Sequence, residues 1–245
     1  MIVLVCEGIQ EIINQKSVLI FDFDGVLADS INIKADAFAE LYSPYGSEIV
    51  EQVVTHHLAN GGMSRFDKFN YYHNVYLNIK IDQFDKDRLA NQFSKIVMDK
   101  VIACPEIPGA EKFIQENFLQ HRCYINSATP QNEIRQIISA RGLQKYFCTV
   151  LGSPTSKSEN LRSIRIMNHE VPISDFLFFG DALSDFEAAA NNNLDFIGIA
   201  HSVDSVLHGL VPDVMLIKDF NSIIGNPNAV GGDVVDLEKL YLNFF

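Results

Sequence analysis

The sequence predicts an α/β protein in which a doubly wound, mostly parallel sheet is interrupted by a helical insert. Three observations predict this class. Short apolar runs recur along the chain, and such runs are typical of strands that are buried on both faces. From residue 104 onward, stretches with helical spacing separate these runs, so that strands and helices alternate. Residues 31–103 contain helical spacing but no run that is typical of a buried strand.

The first predicted strand is Val18–Phe21, a run of four apolar residues. The pattern of residues 1–16 does not distinguish between a loop and a helix. A short amphipathic helix over 9–14 is one alternative. The insert then shows apolar residues at helical spacing, namely Ile31, Ala35, Phe38 and Tyr42, followed later by Leu89, Phe93, Ile96 and Val97. An insert of this kind, placed directly after the first strand, is expected to form a separate helical unit.

Proline and glycine at 108–109 mark the return from the insert to the sheet. The remaining predicted strands are 122–126, 147–151, 176–179, 195–199 and 214–217. Thr129 followed by Pro130 fits a helix N-cap with proline at the first helical position, and Gly142 fits the other end of that helix. We therefore predict a discontinuous sheet domain and a helical domain, with a tail of loop plus helix. The sheet domain comprises residues 1–30 and 104–224, the helical domain residues 31–103, and the tail residues 225–245.

Composition limits the classes of partner. The chain has 245 residues, 47% hydrophobic residues and a net charge of −12, which argues against nucleic acid or an anionic membrane as the main partner. The four cysteines are widely separated and are expected to be buried, reduced thiols. The first residues carry no basic leader, and no run reaches membrane-spanning length, so a cytoplasmic location is expected. The oligomeric state is not indicated.

Two acids follow the first strand immediately. Asp22 and Asp24 are two residues apart, so in extended backbone their side chains point the same way. Two carboxylates this close repel each other unless a positive charge lies between them. Magnesium is the natural ion, because it is commonly bound by one or two carboxylates together with substrate phosphate.

The stretch from Asp22 to Ser30, which reads Asp-Phe-Asp-Gly-Val-Leu-Ala-Asp-Ser, resembles the first motif of the haloacid dehalogenase-like (HAD) hydrolases. The likeness is to their phosphatase and phosphomutase branch, and it covers about residues 17–220 with four motifs in order. It implies a Rossmann-like core with an inserted helical cap. It also implies that Asp22 attacks phosphorus and that Asp24 is the general acid/base, its backbone carbonyl binding the metal as well.

The other three motifs supply phosphate and metal ligands. Ser127, at the end of a predicted strand, matches the second motif, whose hydroxyl binds phosphate with help from neighbouring backbone amides. Lys157 matches the lysine of the third motif, for which Lys112 and Lys145 are poorer candidates. Asp181 and Asp185, in Gly-Asp-Ala-Leu-Ser-Asp after a predicted strand, match the fourth motif and are expected to bind Mg²⁺. The expected phosphate-binding residues are Gly25, Ser127, Ala128, Lys157 and Arg65, and the expected metal ligands are Asp22, Asp24, Asp181 and Asp185.

Arg65 lies in the insert, within the cluster Asn60–Lys68 that contains Gly-Gly-Met-Ser-Arg. The cluster resembles the cap loop of phosphomutases and of some sugar-phosphate phosphatases, in which the arginine faces the active site. Arginine suits bidentate recognition of phosphate or carboxylate. The alternative is an exposed arginine at a helix start. The aromatic residues at 66, 69, 71, 72 and 76 are expected to pack the insert rather than to stack on a substrate.

The resemblance predicts a magnesium-dependent phosphatase that acts on a small phosphorylated metabolite, such as a sugar phosphate or a phosphoglycolate-like compound, through an aspartyl-phosphate. The alternative within enzymes is a phosphomutase that resembles β-phosphoglucomutase. A dehalogenase is disfavoured because those members lack the acid/base that Asp24 would provide here. A third hypothesis, less favoured, is a binding or regulatory protein that retains the fold without turnover.

Overall fold

The computed structural model describes residues 2–202, 205–210 and 214–224, and the predicted tail from 225 lies outside these ranges. Within them lies one sheet of six strands, and every neighbouring pair is parallel. The strands are β1 (Val18–Phe21), β2 (Arg122–Pro130), β3 (Thr149–Ser153), β4 (Phe176–Gly180), β5 (Asp195–Ile199) and β6 (Met215–Ile217). Their spatial order is β3-β2-β1-β4-β5-β6, which confirms the predicted parallel, doubly wound sheet.

Nine α-helices lie in the described ranges, and none of them is long and apolar enough to cross a membrane. They are α1 (Ile2–Asn14), α2 (Ile31–Tyr42), α3 (Ser47–Ala59), α4 (Arg65–Tyr71), α5 (Gln83–Ala103), α6 (Ala110–Asn117), α7 (Gln131–Ala140), α8 (Lys157–Met167) and α9 (Leu183–Asn191). The helix predicted over 9–14 is the second half of α1, where Ile9 and Ile13 are buried one turn apart.

The sheet has an apolar layer on each face. Leu19 and Phe21 of β1 belong to one buried cluster, whereas Val18 and Ile20 belong to the other. This alternation follows from the two-residue period of a strand, and it explains why all four residues are apolar. β1 lies at the centre of the sheet, where the strand order reverses, and ligands of such sheets bind beyond the carboxyl ends of the strands near that point.

Residues 31–103, which we call the helical segment, contain α2 to α5 and no strand, as predicted. Phe38 lies at the centre of their packing, with its ring centroid 4.5 Å from that of Phe93 and 5.7 Å from that of Tyr72. Phe69 and Tyr72 are fully buried, which supports the packing role expected of these aromatic residues. The division of the chain into domains stays a prediction.

Two local predictions were wrong. Thr129 does not cap a helix, because β2 continues to Pro130 and α7 begins at Gln131 with Pro130 in the N-cap position. The Thr129 hydroxyl instead donates to the Asp24 carboxylate at 3.0 Å. Cys148 is exposed, although Cys104 and Cys123 are buried thiols as expected.

Candidate active site

The carboxyl ends of three neighbouring strands bring the predicted site residues together. Phe21 of β1 is in register with Ile125 of β2 and with Phe179 of β4. The next residues along each chain segment therefore meet at one edge of the sheet, which places Asp22 beside the segments that carry Ser127 and Asp181. Asp22 is 4% exposed and Ser127 is fully buried, so this edge is covered by other parts of the chain.

Three carboxylates form a cluster at this edge. One oxygen each from Asp22, Asp181 and Asp185 lies within 4.8 Å of the other two. Two glycines leave room for them. A Cβ at Gly25, whose φ is +74°, would lie 2.1 Å from Asp181 Oδ2, and a Cβ at Gly180 would lie 2.3 Å from Asp185 Cβ. Any larger residue at either position would therefore displace a carboxylate of the cluster.

Lys157 supplies a positive charge to this cluster. Its ammonium donates to Asp22 Oδ2 at 2.7 Å and also to Asp185. The lysine is the first residue of α8, whose start is fixed by a capping box between Ser156 and Glu159. Asn126, a polar residue inside β2 with no role assigned from the sequence, donates to the Lys157 carbonyl at 3.0 Å and thereby helps to position that helix start.

The charges in this cluster are not balanced by protein groups. Burial raises the pKa of Asp22 to about 7, and the nearby charges of Asp185 and Asp24 contribute to the rise. Burial also raises the pKa of Asp181 and of Asp185. For Lys157, burial acts to lower the pKa, but the charges of Asp185 and Asp22 outweigh it and raise the pKa. Three carboxylates beside one ammonium fit a divalent cation with oxygen ligands, and Mg²⁺ suits this donor set.

The carboxylate of Asp24 has its own set of partners outside this cluster. It accepts from Ser30 Oγ at 2.6 Å, from Thr129 Oγ1 and from the Lys34 ammonium. Burial acts to raise the pKa of Asp24, but the charge and hydrogen bond of Lys34, with the two hydroxyls, outweigh it and lower the pKa. Asp24 is thus held ionised in this arrangement. A metal contact of its backbone carbonyl stays a prediction.

The residues expected to bind phosphate through the second motif, Ser127 and Ala128, directly precede Thr129, whose hydroxyl binds Asp24. Ser127 Oγ accepts from the backbone amide of Thr129 at 3.1 Å, and Ala128 lies between the two in the last part of β2. A serine that accepts this bond keeps its hydroxyl proton for another acceptor. A contact between Ser127 and phosphate stays a prediction.

The family model for haloacid dehalogenase-like hydrolases matches residues 19–199, a span that includes all of these groups. The chain belongs to this family. The predicted resemblance is thereby confirmed, and so is the prediction that the protein is a hydrolase of this family. No curated protein matched the chain in a sequence search.

Several solved structures share the fold at low sequence identity. A predicted phosphoglycolate phosphatase from Haemophilus somnus has a TM-score of 0.65 and 15% identity, covering 85% of this chain and 96% of its own. β-Phosphoglucomutase from Clostridium difficile has a TM-score of 0.67 and 16% identity, covering 85% and 93%. A HAD-hydrolase from Bacillus subtilis is described as bound to magnesium and as revealing interdomain movement. It has a TM-score of 0.62 and 16% identity, covering 85% of this chain and 96% of its own.

In this HAD-like hydrolase the helical segment lies directly over the carboxylate cluster. A Cβ at Gly61 would be 3.6 Å from Ala182 Cβ, and one at Gly62 would be 1.7 Å from Ser184 Oγ and 3.3 Å from Lys157 Nζ. The loop before α4 therefore touches the segment after β4 that carries Asp181 and Asp185. The loop thus covers the ammonium of Lys157, which in turn binds Asp22.

Arg65 is buried, and its guanidinium is occupied by protein groups. Its two terminal nitrogens contact the two carboxylate oxygens of Glu133 on α7 at 3.0 and 2.8 Å. It also donates to Ser94 Oγ at 2.8 Å and lies 4.6 Å from the centroid of the Phe93 ring. In this arrangement Arg65 links the helical segment to α7. A contact between Arg65 and a substrate stays a prediction, and these partners do not support it.

Two lysines near the site were missed by the sequence analysis. Lys34 lies one helical turn after Ser30, and both bind Asp24, so the shared helix face was the available signal. Lys68 lies one turn after Ser64, inside the cluster that was singled out for Arg65. It is 1% exposed, and its ammonium lies 2.8 Å from His57 Nδ1. Its contacts, His57 of α3 and the Phe38 ring of α2, are distant in sequence, so no local pattern indicated its position.

Proposed function

We propose that this protein is a magnesium-dependent phosphatase that hydrolyses a small phosphorylated metabolite through an aspartyl-phosphate on Asp22. The observation that carries the proposal is the buried cluster in which Asp22 Oδ2 and Asp185 share the Lys157 ammonium. Phosphoryl transfer requires mainly positioning and stabilisation of negative charge, and this cluster is arranged for both. The likeness to structures described as phosphatases is consistent with it.

Asp22 is oriented for attack by its own neighbours. One carboxylate oxygen accepts from the backbone amide of Phe23 at 2.6 Å, and the other accepts from Lys157. In the first step, a carboxylate oxygen of Asp22 bonds to phosphorus and the bond from phosphorus to the ester oxygen breaks. Asp24 gives its proton to the departing alkoxide, so it must carry a proton when the substrate is bound.

In the second step, Asp24 takes a proton from water, and the oxygen of that water attacks phosphorus. The bond between phosphorus and Asp22 breaks, which releases inorganic phosphate and restores the carboxylate. The lowered pKa of Asp24 keeps its carboxylate unprotonated, which this second step requires. When bound at Asp22, Asp181 and Asp185, Mg²⁺ would offset negative charge on the phosphoryl oxygens. Ser127 and Lys157 would bind the same oxygens, with the backbone at Gly25 and Ala128 nearby.

A phosphomutase is the second candidate, and the closed arrangement favours it. A mutase must protect its aspartyl-phosphate from water, and the contact of Gly62 with Ser184 and Lys157 covers Asp22. The two reactions differ in their product, since a phosphatase releases inorganic phosphate whereas a mutase returns an isomer.

The test is a screen of phosphorylated sugars, phosphoglycolate and nucleotides with Mg²⁺, in which both phosphate release and isomerisation are measured. The phosphatase proposal expects phosphate release from at least one compound, which is lost in Asp22→Asn. It also expects that beryllium fluoride binds to the wild type and not to the variant. Isomerised product without release would establish the mutase. Absence of turnover together with absence of beryllium fluoride binding would favour the non-catalytic hypothesis.

A further inference from the structure

Lys68 is a buried cation that the proposed mechanism does not use. Its ammonium contacts His57 Nδ1 at 2.8 Å and the His57 carbonyl at 3.4 Å, and it lies 5.7 Å from the centroid of the Phe38 ring. In the described ranges, no carboxylate lies within ion-pair distance of it. A buried ammonium without a counter-ion is costly, because it has lost its hydration without a compensating ion pair.

His57 does not supply the missing negative charge. Burial, together with the positive charge of Lys68, lowers the pKa of His57 to about 2, so the ring is neutral and Nδ1 accepts the hydrogen bond. An ammonium has three N–H donors. His57 offers two acceptors, one of them at the long distance of 3.4 Å. At least one donor of Lys68 therefore has no acceptor among the residues that the structure describes.

The charges that act on Lys68 are those of the active site. Burial lowers the pKa of Lys68 to about 7, Lys34 and Lys157 act in the same direction, and Asp24 and Asp181 oppose them. Asp24, Lys157 and Asp181 belong to the core side, whereas Lys34 and Lys68 belong to the helical segment. The charged and titratable groups that face Lys68 are thus His56 and His57 of α3, Lys34 of α2, Asp24, Lys157 of α8 and Asp181.

Arg65, the other buried cation on α4, is already paired with Glu133. We propose that Lys68 recognises the substrate by binding an anionic group that the substrate carries in addition to the phosphoester being cleaved. This group is a carboxylate or a second phosphate. This inference rests on the proposed phosphatase function. Such an anion would supply the counter-ion that the protein lacks, whereas a neutral analogue would leave the ammonium buried and unpaired. A site of this kind discriminates strongly against the analogue that lacks the charged group.

The test compares substrates that differ only in the distal group. For a carboxylate, the pairs are 3-phosphoglycerate with glycerol 3-phosphate, and phosphoglycolate with 2-hydroxyethyl phosphate. For a second phosphate, the pair is glucose 1,6-bisphosphate with glucose 1-phosphate. The quantity measured is the ratio of kcat/KM between the anionic and the neutral member. Effects of the shared groups, including Asp22 and Asp24, cancel in this ratio.

We expect a ratio well above 10 for at least one wild-type pair, falling at least tenfold in Lys68→Met and largely retained in Lys68→Arg. Lys80→Met is the control, because Lys80 is an exposed lysine of the same helical segment. Turnover of p-nitrophenyl phosphate, which has no distal anion, should change little in all three variants. The wild-type ratio should also fall as the pH rises above about 7, where Lys68 loses its proton, and stay level in Lys68→Arg.

A wild-type ratio near 1 for every pair would overturn the inference, as would an unchanged ratio in a folded Lys68→Met. If that variant does not fold, the test is the pH dependence of the ratio. The same pH dependence in the wild type and in Lys68→Arg would then overturn the inference. Failure of the phosphatase proposal is distinguished by binding. Calorimetry with 3-phosphonopropionate, propane-1,3-diphosphonate and propylphosphonate measures the same preference without turnover. Equal affinity of the wild type for all three would also overturn the role of Lys68.

Discussion

Replacing Gly62 by alanine tests whether turnover requires the closed arrangement of the helical segment. The added Cβ would lie 1.7 Å from Ser184 Oγ, 3.0 Å from Ser184 Cβ and 3.3 Å from Lys157 Nζ. The hydroxyl can rotate away, but Ser184 Cβ cannot, and Lys157 is held by Asp22 and Asp185. The loop before α4 must therefore move outward in Gly62→Ala, which opens the cover over the carboxylate cluster.

The size of the effect follows from the cost of overpacking. Inserting a methyl group into a filled contact costs about 1–3 kcal/mol. Because about 1.4 kcal/mol corresponds to a factor of ten, kcat/KM should fall about 5- to 150-fold if the closed arrangement is needed in the transition state. The thermal midpoint should change little, because the loop can open without exposing the buried cluster around Phe38.

The assay is kcat/KM with the best substrate from the screen, accompanied by thermal denaturation. Gly61→Ala is the matched control, since its Cβ would lie at an ordinary contact distance of 3.6 Å from Ala182 Cβ. The double variant Gly62→Ala/Ser184→Ala should recover part of the activity, because it removes the closest atom. The reasoning would be refuted if Gly62→Ala had the same kcat/KM as the wild type. It would also be refuted if Gly61→Ala and Gly62→Ala lowered kcat/KM equally.

Three further predictions concern charged groups. In urea denaturation, Arg65→Met and Glu133→Gln should each lower the free energy of unfolding by about 1–3 kcal/mol. The double variant should lose less than the sum of the two single losses, and strict additivity would contradict a direct link between the two side chains. Asp24→Asn should slow turnover by about 10²–10⁴. The rate of aspartyl-phosphate formation should fall less for p-nitrophenyl phosphate, which has a good leaving group, than for a substrate with a poor leaving group. Equal losses for both substrates in single-turnover measurements would count against the acid role. Without metal, the raised pKa values of Asp22, Asp181 and Asp185 favour the folded state at low pH. For Asp22, this contribution is lost as the pH rises through its pKa of about 7. The Tm increase caused by Mg²⁺ should therefore grow from about pH 5 to pH 8, and a constant increase would argue against binding at this cluster.

The sheet could be predicted from the sequence because its strands are buried on both faces. β1 and β5 have the predicted bounds, and β4 extends only one residue further. The positions of Asp22, Asp181 and Lys157 follow from the same pattern, since residues after parallel strands meet at one edge of the sheet. The family match from residue 19 to 199 agrees with the motifs that were read there.

The sequence alone therefore determined the fold class, the family and the meeting of Asp22, Asp181 and Asp185, whereas the carboxylate of the fourth expected ligand, Asp24, lies outside their cluster. Only the tertiary structure decided how the remaining polar groups are paired, because their partners lie far apart along the chain. Thr129 has a local cap signal, yet its hydroxyl binds Asp24, 105 residues away. Arg65 matches a motif, yet its guanidinium binds Glu133, 68 residues away. Lys68 has no charged partner among the described residues. Its pKa is lowered mainly by burial, which depends on packing against His57 of α3 and Phe38 of α2 rather than on its neighbours in sequence.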